Sequence, residues 1–250
     1  MELNVPHQML ASWKWDEKSS HYIEEVSGEI GILEGNFKIV DGVHGKALKC
    51  DEFTTRVHFQ KSPPLVESFS IEVWCALASY PWAWAPFIDL HTRPPLEIFA
   101  GGAFRDPEKP SKGILFGVNQ NGQVGFLCGC ECDEESLDLK EGNWIEATSP
   151  YVALADEDKG GHLPLKEWVH LVCVYDKTAL SAKAYMNGLC VGEKHLTGPI
   201  LSSEYLPVYI ARQRDMALPM GGERPSSHSP IQIHLDGIID GLRWYQRSEE

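Results

Sequence analysis

The sequence predicts an all-β protein built as a sandwich of two antiparallel sheets, and three observations carry this prediction. Apolar, β-branched and aromatic residues recur in short runs that are bounded by Gly, Pro, Asn or Asp, which is the pattern of strands. Asn-Gly pairs at 121–122 and 187–188 lie between alternating runs and favour tight hairpins. No segment keeps apolar residues at helical spacing for three turns. A sheet of this size has to bury its apolar face against a second sheet.

Seven runs carry the strand pattern. In the first of them, alternation places Phe69, Ile71 and Val73 on one face and Glu72 and Trp74 on the other, so that the apolar set can fill the space between the sheets. The runs are FSIEVWCALA (69–78), PFIDLHT (86–92), GILFGVN (113–119), QVGFLCG (123–129), WVHLVCVYD (168–176), KAYMNGLCVGE (183–193) and PVYIARQ (207–213).

Other segments do not read as strands. DEKSSHYIEEVSG (16–28) is the one candidate for a short helical turn. Segments 93–113, 132–164 and 214–230 are rich in Pro, Gly and charged residues. Structureless loops of that length are uncommon in a compact domain and tend to be functional, so we expect them to border any binding site.

Composition indicates one globular domain over 1–250. Apolar residues make up 43% of the chain, and no low-complexity block or long charge run resembles a linker. The formal charge of −14 argues against nucleic acid as a partner, because that binding depends on clustered cations. No run of about 18 apolar residues occurs, and the start MELNVPHQML lacks a charged segment followed by an apolar one. We therefore expect neither membrane insertion nor an export signal.

The seven cysteines do not read as a disulfide framework or a zinc site. FLCGCEC places three alternating thiols on one side of an extended run, and this spacing differs from the C-x2-C of structural zinc sites. Reduced thiols, typical of a cytoplasmic setting, are favoured, with one disulfide within the trio as the alternative. The trio is Cys128, Cys130 and Cys132; the cysteines expected as buried small hydrophobes are Cys50, Cys75, Cys173 and Cys190.

An ordered series of motifs resembles the laminin G-like branch of the concanavalin A-like jelly rolls. The resemblance implies two curved antiparallel sheets, with the first and last strands adjacent in one sheet, and an extracellular setting. Few polar residues follow the closing strand, which suits a module excised from a longer protein. The motifs are LASWKWDE (10–17), GKALKC (45–50), FSIEVWCAL (69–77), EWVHLVCVYD (167–176), AYMNGLCVGE (184–193), PVYIAR (207–212) and LDGIIDGLRWY (235–245).

The same resemblance implies one structural Ca²⁺ where the first and last strands meet. Ca²⁺ takes six to eight oxygen ligands from carboxylates and carbonyls. The matching positions are Asp240 and backbone carbonyls near Gly45 and around Ala11 or Ser12, with Asp16 as a further ligand. The alternative is that Asp240 caps a strand or pairs with Arg243 and that Asp16 begins a turn.

A sheet face lined with aromatic and polar side chains suits sugars, because a pyranose ring stacks on an aromatic ring while its hydroxyls accept and donate hydrogen bonds. Trp82 and Trp84 could equally cover an interface with a neighbouring domain, since paired exposed tryptophans are costly in water. The candidate carbohydrate-binding residues are Glu72, Trp82, Trp84, His91, Arg93 and Arg212.

Catalytic motifs are absent from the sequence. It has no Gly-x-Ser-x-Gly, no phosphate-binding glycine loop and no His-Glu-x-x-His, and its acidic cluster ECDEESLDLKE (131–141) reads as a loop. We therefore predict a non-catalytic accessory module that binds carbohydrate and belongs to a larger carbohydrate-active or cell-surface protein, such as a glycoside hydrolase. The alternatives are a glycan-cleaving sandwich enzyme and a module that packs against a protein or an adjacent domain.

Overall fold

A computed structural model describes residues 7–15, 21–63, 65, 67–81, 85–90, 97–99, 102–104, 113–128, 151–153, 161–196, 198–200, 206–212 and 234–247. These residues form two antiparallel sheets of eight strands each and one separate two-stranded ribbon. No helix occurs among them.

Sheet 1 contains the first and the last strand of the described chain. Its strands, in spatial order, are β16 (Leu189–His195), β15 (Ser181–Met186), β14 (Val169–Asp176), β7 (Phe69–Leu77), β18 (Asp236–Arg247), β5 (Lys46–Asp51) and β4 (Lys38–Asp41), with β1 (His7–Trp13) also paired to β18.

Sheet 2 stacks on sheet 1. Its strands, in spatial order, are β13 (Tyr151–Ala153), β12 (Val124–Cys128), β11 (Ile114–Val118), β8 (Ala85–Asp89), β17 (Val208–Ile210), β6 (Arg56–Phe59), β3 (Ile30–Glu34) and β2 (His21–Ile23). The separate ribbon pairs β9 (Glu97–Phe99) with β10 (Gly102–Phe104).

Strand β18 joins three other strands. One edge pairs with β7 along nearly its whole length, whereas the other edge pairs first with β5, from Asp236 to Ile239, and then with β1, from Leu242 to Arg247. A register shift between Asp240 and Arg243 marks the change of partner, and Gly241 there has φ 57°. The first and last strands are therefore adjacent in one sheet, as the resemblance implied.

The core lies between the two sheets. Phe69 of sheet 1 contacts Phe126 of sheet 2 at a ring-centroid distance of 6.4 Å, and Trp13 of sheet 1 contacts Phe59 of sheet 2 at 5.9 Å. All four of these side chains are at most 2% exposed. Burying a large apolar side chain of this kind contributes about 1.5–3 kcal/mol, so the stacked sheets stabilise each other.

The strand and hairpin predictions are confirmed. Strand β7 alternates strictly, with Phe69, Ile71 and Val73 buried and the residues between them partly exposed. Asn187 and Gly188 both have positive φ, 50° and 81°, which is the tight-hairpin conformation that an Asn-Gly pair favours. The other Asn-Gly pair, at 121–122, joins β11 to β12.

Three sequence-based expectations are corrected. In the segment proposed as a helical turn, residues 21–23 form strand β2. The segments 93–113 and 132–164 contain β9, β10 and β13, so they are not structureless throughout. Cys190 is exposed rather than buried, because the first two residues of β16 face solvent.

Candidate functional site

The outer face of sheet 2 carries a row of side chains that runs across neighbouring strands. Ile32 of β3 pairs with His58 of β6, His58 pairs with Tyr209 of β17, and Tyr209 pairs with Asp89 of β8. The rings of His58 and Tyr209 are stacked, with centroids 4.8 Å apart and planes 20° apart. Each ring covers one face of the other, so a ligand in the groove can contact only the edges and outer faces of this aromatic pair.

A second row of charged side chains lies beside the first. Glu34 of β3 pairs with Arg56 of β6, and the Arg56 guanidinium donates hydrogen bonds to the Glu34 carboxylate. Arg212 follows β17 and lies on the same face. The two rows enclose an open groove of about 370 Å³, within the range of small-molecule sites. The lining residues of this groove are Ile32, Glu34, Arg56, His58, Tyr209 and Arg212.

Backbone conformation explains how Arg212 reaches the groove. In a regular strand, residues three apart point to opposite faces, so Tyr209 and Arg212 would not share a groove. Ala211 has φ 66°, a left-handed conformation that alanine rarely adopts. Its neighbour Ile210 and Ala211 itself are both completely buried. The left-handed residue breaks the alternation and places Arg212 on the outer face beside Tyr209.

The environment of Arg212 is unfavourable for a cation. Burial lowers the pKa of Arg212, and repulsion from Arg56 lowers the pKa further, while Tyr209 and Glu34 offset the shift only in part. Its Nε is buried and has no hydrogen-bond partner in the described part of the chain. Next to it, burial and then the charge of Arg212 lower the pKa of His234 to about 4, so this histidine adds no charge at neutral pH.

The neighbouring half of the same sheet face is closed. Asp89 and Leu115 are paired across β8 and β11, next to Tyr209 in the row, and both are completely buried. Asp89 has an interaction partner within the protein. The open groove is therefore confined to strands β3, β6 and β17.

The outer face of sheet 1 holds a different cluster, centred on Glu72. Its Oε1 accepts hydrogen bonds from Arg243 Nη1 at 2.8 Å and from Tyr245 Oη at 3.0 Å, and its Oε2 lies 3.2 Å from His170 Nε2. Burial alone would raise the pKa of Glu72, but the hydrogen bonds from His170, Arg243 and Tyr245 outweigh it and lower the pKa to about 2. Both carboxylate oxygens of Glu72 are thus held by groups of the protein itself.

Trp74 extends this cluster. The His170 ring stacks on it with centroids 4.9 Å apart, and the His44 ring meets it edge-on at 5.7 Å. Asp240 is the residue opposite Trp74 on β18. The cluster therefore ties β7, β14 and β18 together on the outside of sheet 1.

Glu72 is unsuited to be the acid of a glycosidase. That reaction needs one carboxyl group with a raised pKa to protonate the leaving oxygen. The pKa of Glu72 is lowered instead, so the carboxyl is ionised at neutral pH. The predicted loop cluster at 131–141 lies outside the described residues.

Asp240 lies against the turn between β4 and β5, which contains Gly45. Asp240 is 1% exposed, and its Oδ2 accepts a hydrogen bond from the backbone N–H of His44 at 2.7 Å. The carbonyl of Gly45 accepts one from Gly42 N at 2.8 Å, and the carbonyl of Ser12 accepts one from Glu25 N at 3.0 Å. Arg243 pairs with Glu72 and not with Asp240.

These groups do not by themselves make a calcium site. No cluster of three or more His, Cys, Asp or Glu side chains suited to a metal occurs in the part of the chain that the structure describes. Calcium needs six to eight oxygens, and Asp240 with the carbonyls of Gly45 and Ser12 would account for only some of them. The calcium ion remains a prediction.

The predicted carbohydrate-binding residues do not form one group. Glu72 lies on sheet 1 and Arg212 beside sheet 2, so these two do not share a groove. The others, Trp82, Trp84, His91 and Arg93, lie outside the described residues, as does the predicted metal ligand Asp16.

Five of the six residues that line the groove were not predicted from the sequence. They are Ile32, Glu34, Arg56 and His58, on the short strands β3 and β6, and Tyr209 on β17. The alternation of RVHF and IGILE agrees with the burial pattern of β6 and β3, but runs of four and five residues are too short for this signal to stand out from the turns around them.

Structural comparison finds the same fold in carbohydrate-related and toxin proteins. Domain 4 of AbnA, a GH43 extracellular arabinanase from Geobacillus stearothermophilus solved with arabinotriose, matches with a TM-score of 0.58 at 13% identity, over 98% of this chain and 95% of that one. The binding domain of Paraclostridial Mosquitocidal Protein 1 matches at 0.59 and 10% identity, over 97% of this chain and 49% of that one. Botulinum neurotoxin type C matches at 0.54 and 12% identity, over 98% of this chain and 48% of that one. This chain therefore spans about half of the two toxin chains.

Sequence comparison identifies the family. No curated protein sequence is detectably similar to the chain. Among its described residues, the structure has no helix that could cross a membrane. The Laminin_G_3 family model, described as the concanavalin A-like lectin/glucanases superfamily, matches residues 54–248. With two stacked antiparallel sheets closed by β18, the chain belongs to the laminin G-like branch of the concanavalin A-like superfamily.

Proposed function

We propose that this chain is a non-catalytic carbohydrate-binding module that holds a saccharide in the groove on the outer face of sheet 2 and serves a larger protein. The observation that carries the proposal is the stacked pair of His58 and Tyr209 beside the guanidinium of Arg212, in one open groove of about 370 Å³.

The chemistry of this groove fits a sugar. The face of a pyranose or furanose ring presents C–H groups that pack on an aromatic ring, and the outer face of Tyr209, which His58 does not cover, is proposed for this contact. Sugar hydroxyls need hydrogen-bond donors and acceptors near that surface. Arg56, Glu34 and Arg212 line the groove and provide both kinds.

The structural relatives support the proposal without deciding it. The arabinanase domain was solved with arabinotriose, and interaction with two ganglioside molecules is reported for botulinum neurotoxin type C. At 13% and 12% identity, these proteins share the fold with this chain and need not share a binding site.

The test is glycan binding by the wild-type chain and by Tyr209→Ala. We expect loss of the ring to weaken binding by about tenfold, because stacking on one aromatic ring contributes about 0.5–1.5 kcal/mol and the ring also contributes buried area. Tyr185→Ala is the matched control, since Tyr185 is a partly exposed tyrosine of sheet 1. Binding of no glycan, or equal losses in both variants, contradicts the proposal.

Trp82 and Trp84 require their own variant. Replacing both with Ala weakens glycan binding if they border the groove, as the sequence predicts. If binding is unchanged while Tyr209→Ala is impaired, the tryptophans are not part of the site.

A second candidate is packing against an adjacent domain of the same polypeptide. Ile30 and Ile32 favour it, because they are 60% and 43% exposed on the face of β3 that borders the groove. Exposed apolar patches of this kind mark contacts with other proteins. Absence of glycan binding together with tight association of a neighbouring domain, lost in Ile30→Glu, would favour this candidate over the first.

A further inference from the structure

We propose that the groove on sheet 2 selects acidic saccharides, which are sugars that carry a carboxylate. This inference rests on the proposed function, because it names the class of sugar that the same groove would bind. It follows from the charges that the fold brings together there.

The groove holds more positive than negative side chains. Arg56 and Arg212 are close enough to repel each other, and Glu34 is the one carboxylate among the six lining residues. Glu34 is already engaged by Arg56 through two guanidinium nitrogens. Arg212 is therefore left with a positive neighbour and without a carboxylate of its own in the described part of the chain.

Arg243 on the other sheet shows what a paired arginine looks like in this protein. Its Nη1 donates to Glu72 at 2.8 Å, and this hydrogen bond raises the pKa of Arg243. Arg212 is similarly half-buried, yet its Nε is buried and unpartnered and its pKa is lowered by burial and by Arg56. A carboxylate in the groove would contact the Nη atoms of Arg212, as Glu72 contacts Nη1 of Arg243, because the Nε of Arg212 is buried.

The geometry of a guanidinium favours this kind of ligand. Its planar fork of N–H donors matches the two oxygens of a carboxylate, and such charge-assisted hydrogen bonds are shorter and stronger than neutral ones. A neutral sugar hydroxyl would satisfy one donor without offsetting the repulsion between Arg56 and Arg212. The carboxylate of an acidic sugar would accept hydrogen bonds from the guanidinium and offset that repulsion, while the sugar ring packs on the outer face of Tyr209.

The net charge makes the groove distinctive on this molecule. The chain carries a formal charge of −14, so its overall field does not attract anions. Screening confines that field to about 8 Å at physiological ionic strength. Two neighbouring guanidinium groups on such a surface are therefore explained by a negative ligand that binds between them, and an acidic saccharide is such a ligand.

The inference is tested with matched pairs of oligosaccharides. Each pair consists of a uronic-acid-containing or sialic-acid-containing oligosaccharide and the same molecule with its carboxyl groups reduced to alcohols. We expect the wild-type chain to bind at least one acidic member about tenfold more tightly than its reduced form, as measured by isothermal titration calorimetry. Arg212→Gln should remove most of this preference, and Arg212→Lys should keep part of it because the charge remains.

Controls separate the possible failures. Lys49→Gln makes the same change in net charge at an exposed position on sheet 1 and should leave the preference intact. A preference that survives in Arg212→Gln overturns the assigned site, provided that circular dichroism shows this variant to be folded. If Arg212→Gln is not folded, Arg56→Gln is tested in its place, with the same expected loss.

Failure of the inference is distinguishable from failure of the proposed function. If reduced and acidic forms bind equally and Tyr209→Ala weakens both, the groove binds carbohydrate but does not select for charge. If neither form of any pair binds and neutral glycans also fail, both the inference and the proposed function are wrong.

Discussion

Arg243 and Glu72 are directly opposite each other on β18 and β7, and the guanidinium of Arg243 donates a 2.8 Å hydrogen bond to the carboxylate of Glu72. The two residues are 171 positions apart in the sequence. Their side chains are 24% and 20% exposed, so the pair is only weakly screened by water. Together with His170 and Tyr245, the pair fastens the closing strand to the middle of sheet 1.

Glu72→Ala should lower the free energy of unfolding by about 2 kcal/mol. The substitution leaves the half-buried donors of Arg243, Tyr245 and His170 without their acceptor, a cost between those of exposed and fully buried ion pairs. Urea denaturation measures the change. Glu67→Ala is the control, since the Glu67–Lys177 pair is 36% and 40% exposed and should contribute less than about 0.5 kcal/mol. Equal effects of the two substitutions would contradict the proposed role of the cluster.

Asp240→Ala should destabilise the protein with or without calcium. It removes the acceptor of the His44 N–H and should lower the free energy of unfolding by about 1–2 kcal/mol. Asp240→Asn keeps an acceptor at this position and should cost less. Thermal unfolding of the three proteins measures both effects.

A chelator tests the predicted calcium ion in the same proteins. An ion that binds only the folded state raises the unfolding temperature, and its removal therefore lowers that temperature. We expect a chelator to lower the unfolding temperature of the wild-type chain but not that of Asp240→Asn. An unchanged temperature in the wild-type chain would end the calcium prediction.

The stability of the protein should fall as the pH decreases from 6.5 to 4. The pKa of His234 is about 4 in the folded protein, lowered from 6.5 by burial and by Arg212. Between these values the unfolded state binds more protons at this position than the folded state, so protonation favours unfolding. Urea denaturation across this pH range should show a smaller dependence in His234→Leu than in the wild-type chain. The control, His195→Gln, changes an exposed histidine and should leave the dependence unchanged.

Native thiol labelling should distinguish Cys190 from the core cysteines. Cys190 is exposed, whereas burial raises the pKa of the Cys50, Cys75 and Cys173 thiols. Since the thiolate is the reactive form, we expect rapid alkylation of Cys190 and protection of the other three until the protein unfolds. Peptide mapping by mass spectrometry after brief labelling makes the comparison. Labelling of Cys75 or Cys173 at the rate of Cys190 would contradict the packing of sheet 1.

Periodicity was sufficient to predict the central strands β7 and β14 and a sandwich of two sheets. Strands β7 and β14 alternate strictly between buried and partly exposed residues, and their sequences show the same alternation. The resemblance placed β1 beside β18, and the pairing of His7 with Arg247 and of Trp13 with Leu242 bears this out. Long amphipathic strands can be predicted from sequence because their residues alternate between the same two sheet faces over many positions.

Most of the groove could not be predicted in this way. Strands β3 and β6 have five and four residues, too few for a pattern to stand out from the turns around them. Arg212 reaches the groove only because Ala211 adopts φ 66°. Alanine rarely adopts this left-handed conformation, so the sequence does not predict it. The pairing of Ile32 with His58 and of His58 with Tyr209 depends on contacts between distant parts of the chain.

The position of β18 also determines when this protein can acquire its native form. This strand separates β7 from β5 and β1, so sheet 1 has a gap at its centre until residues 236–247 are available. The hydrogen bond from His44 to Asp240 spans 196 positions, and bringing such distant segments together carries an entropic cost that slows folding. During synthesis, the centre of sheet 1 therefore stays exposed until β18 leaves the ribosome. In that period, the edges of β7 and β5 lack their partner strand and can pair with strands of other chains.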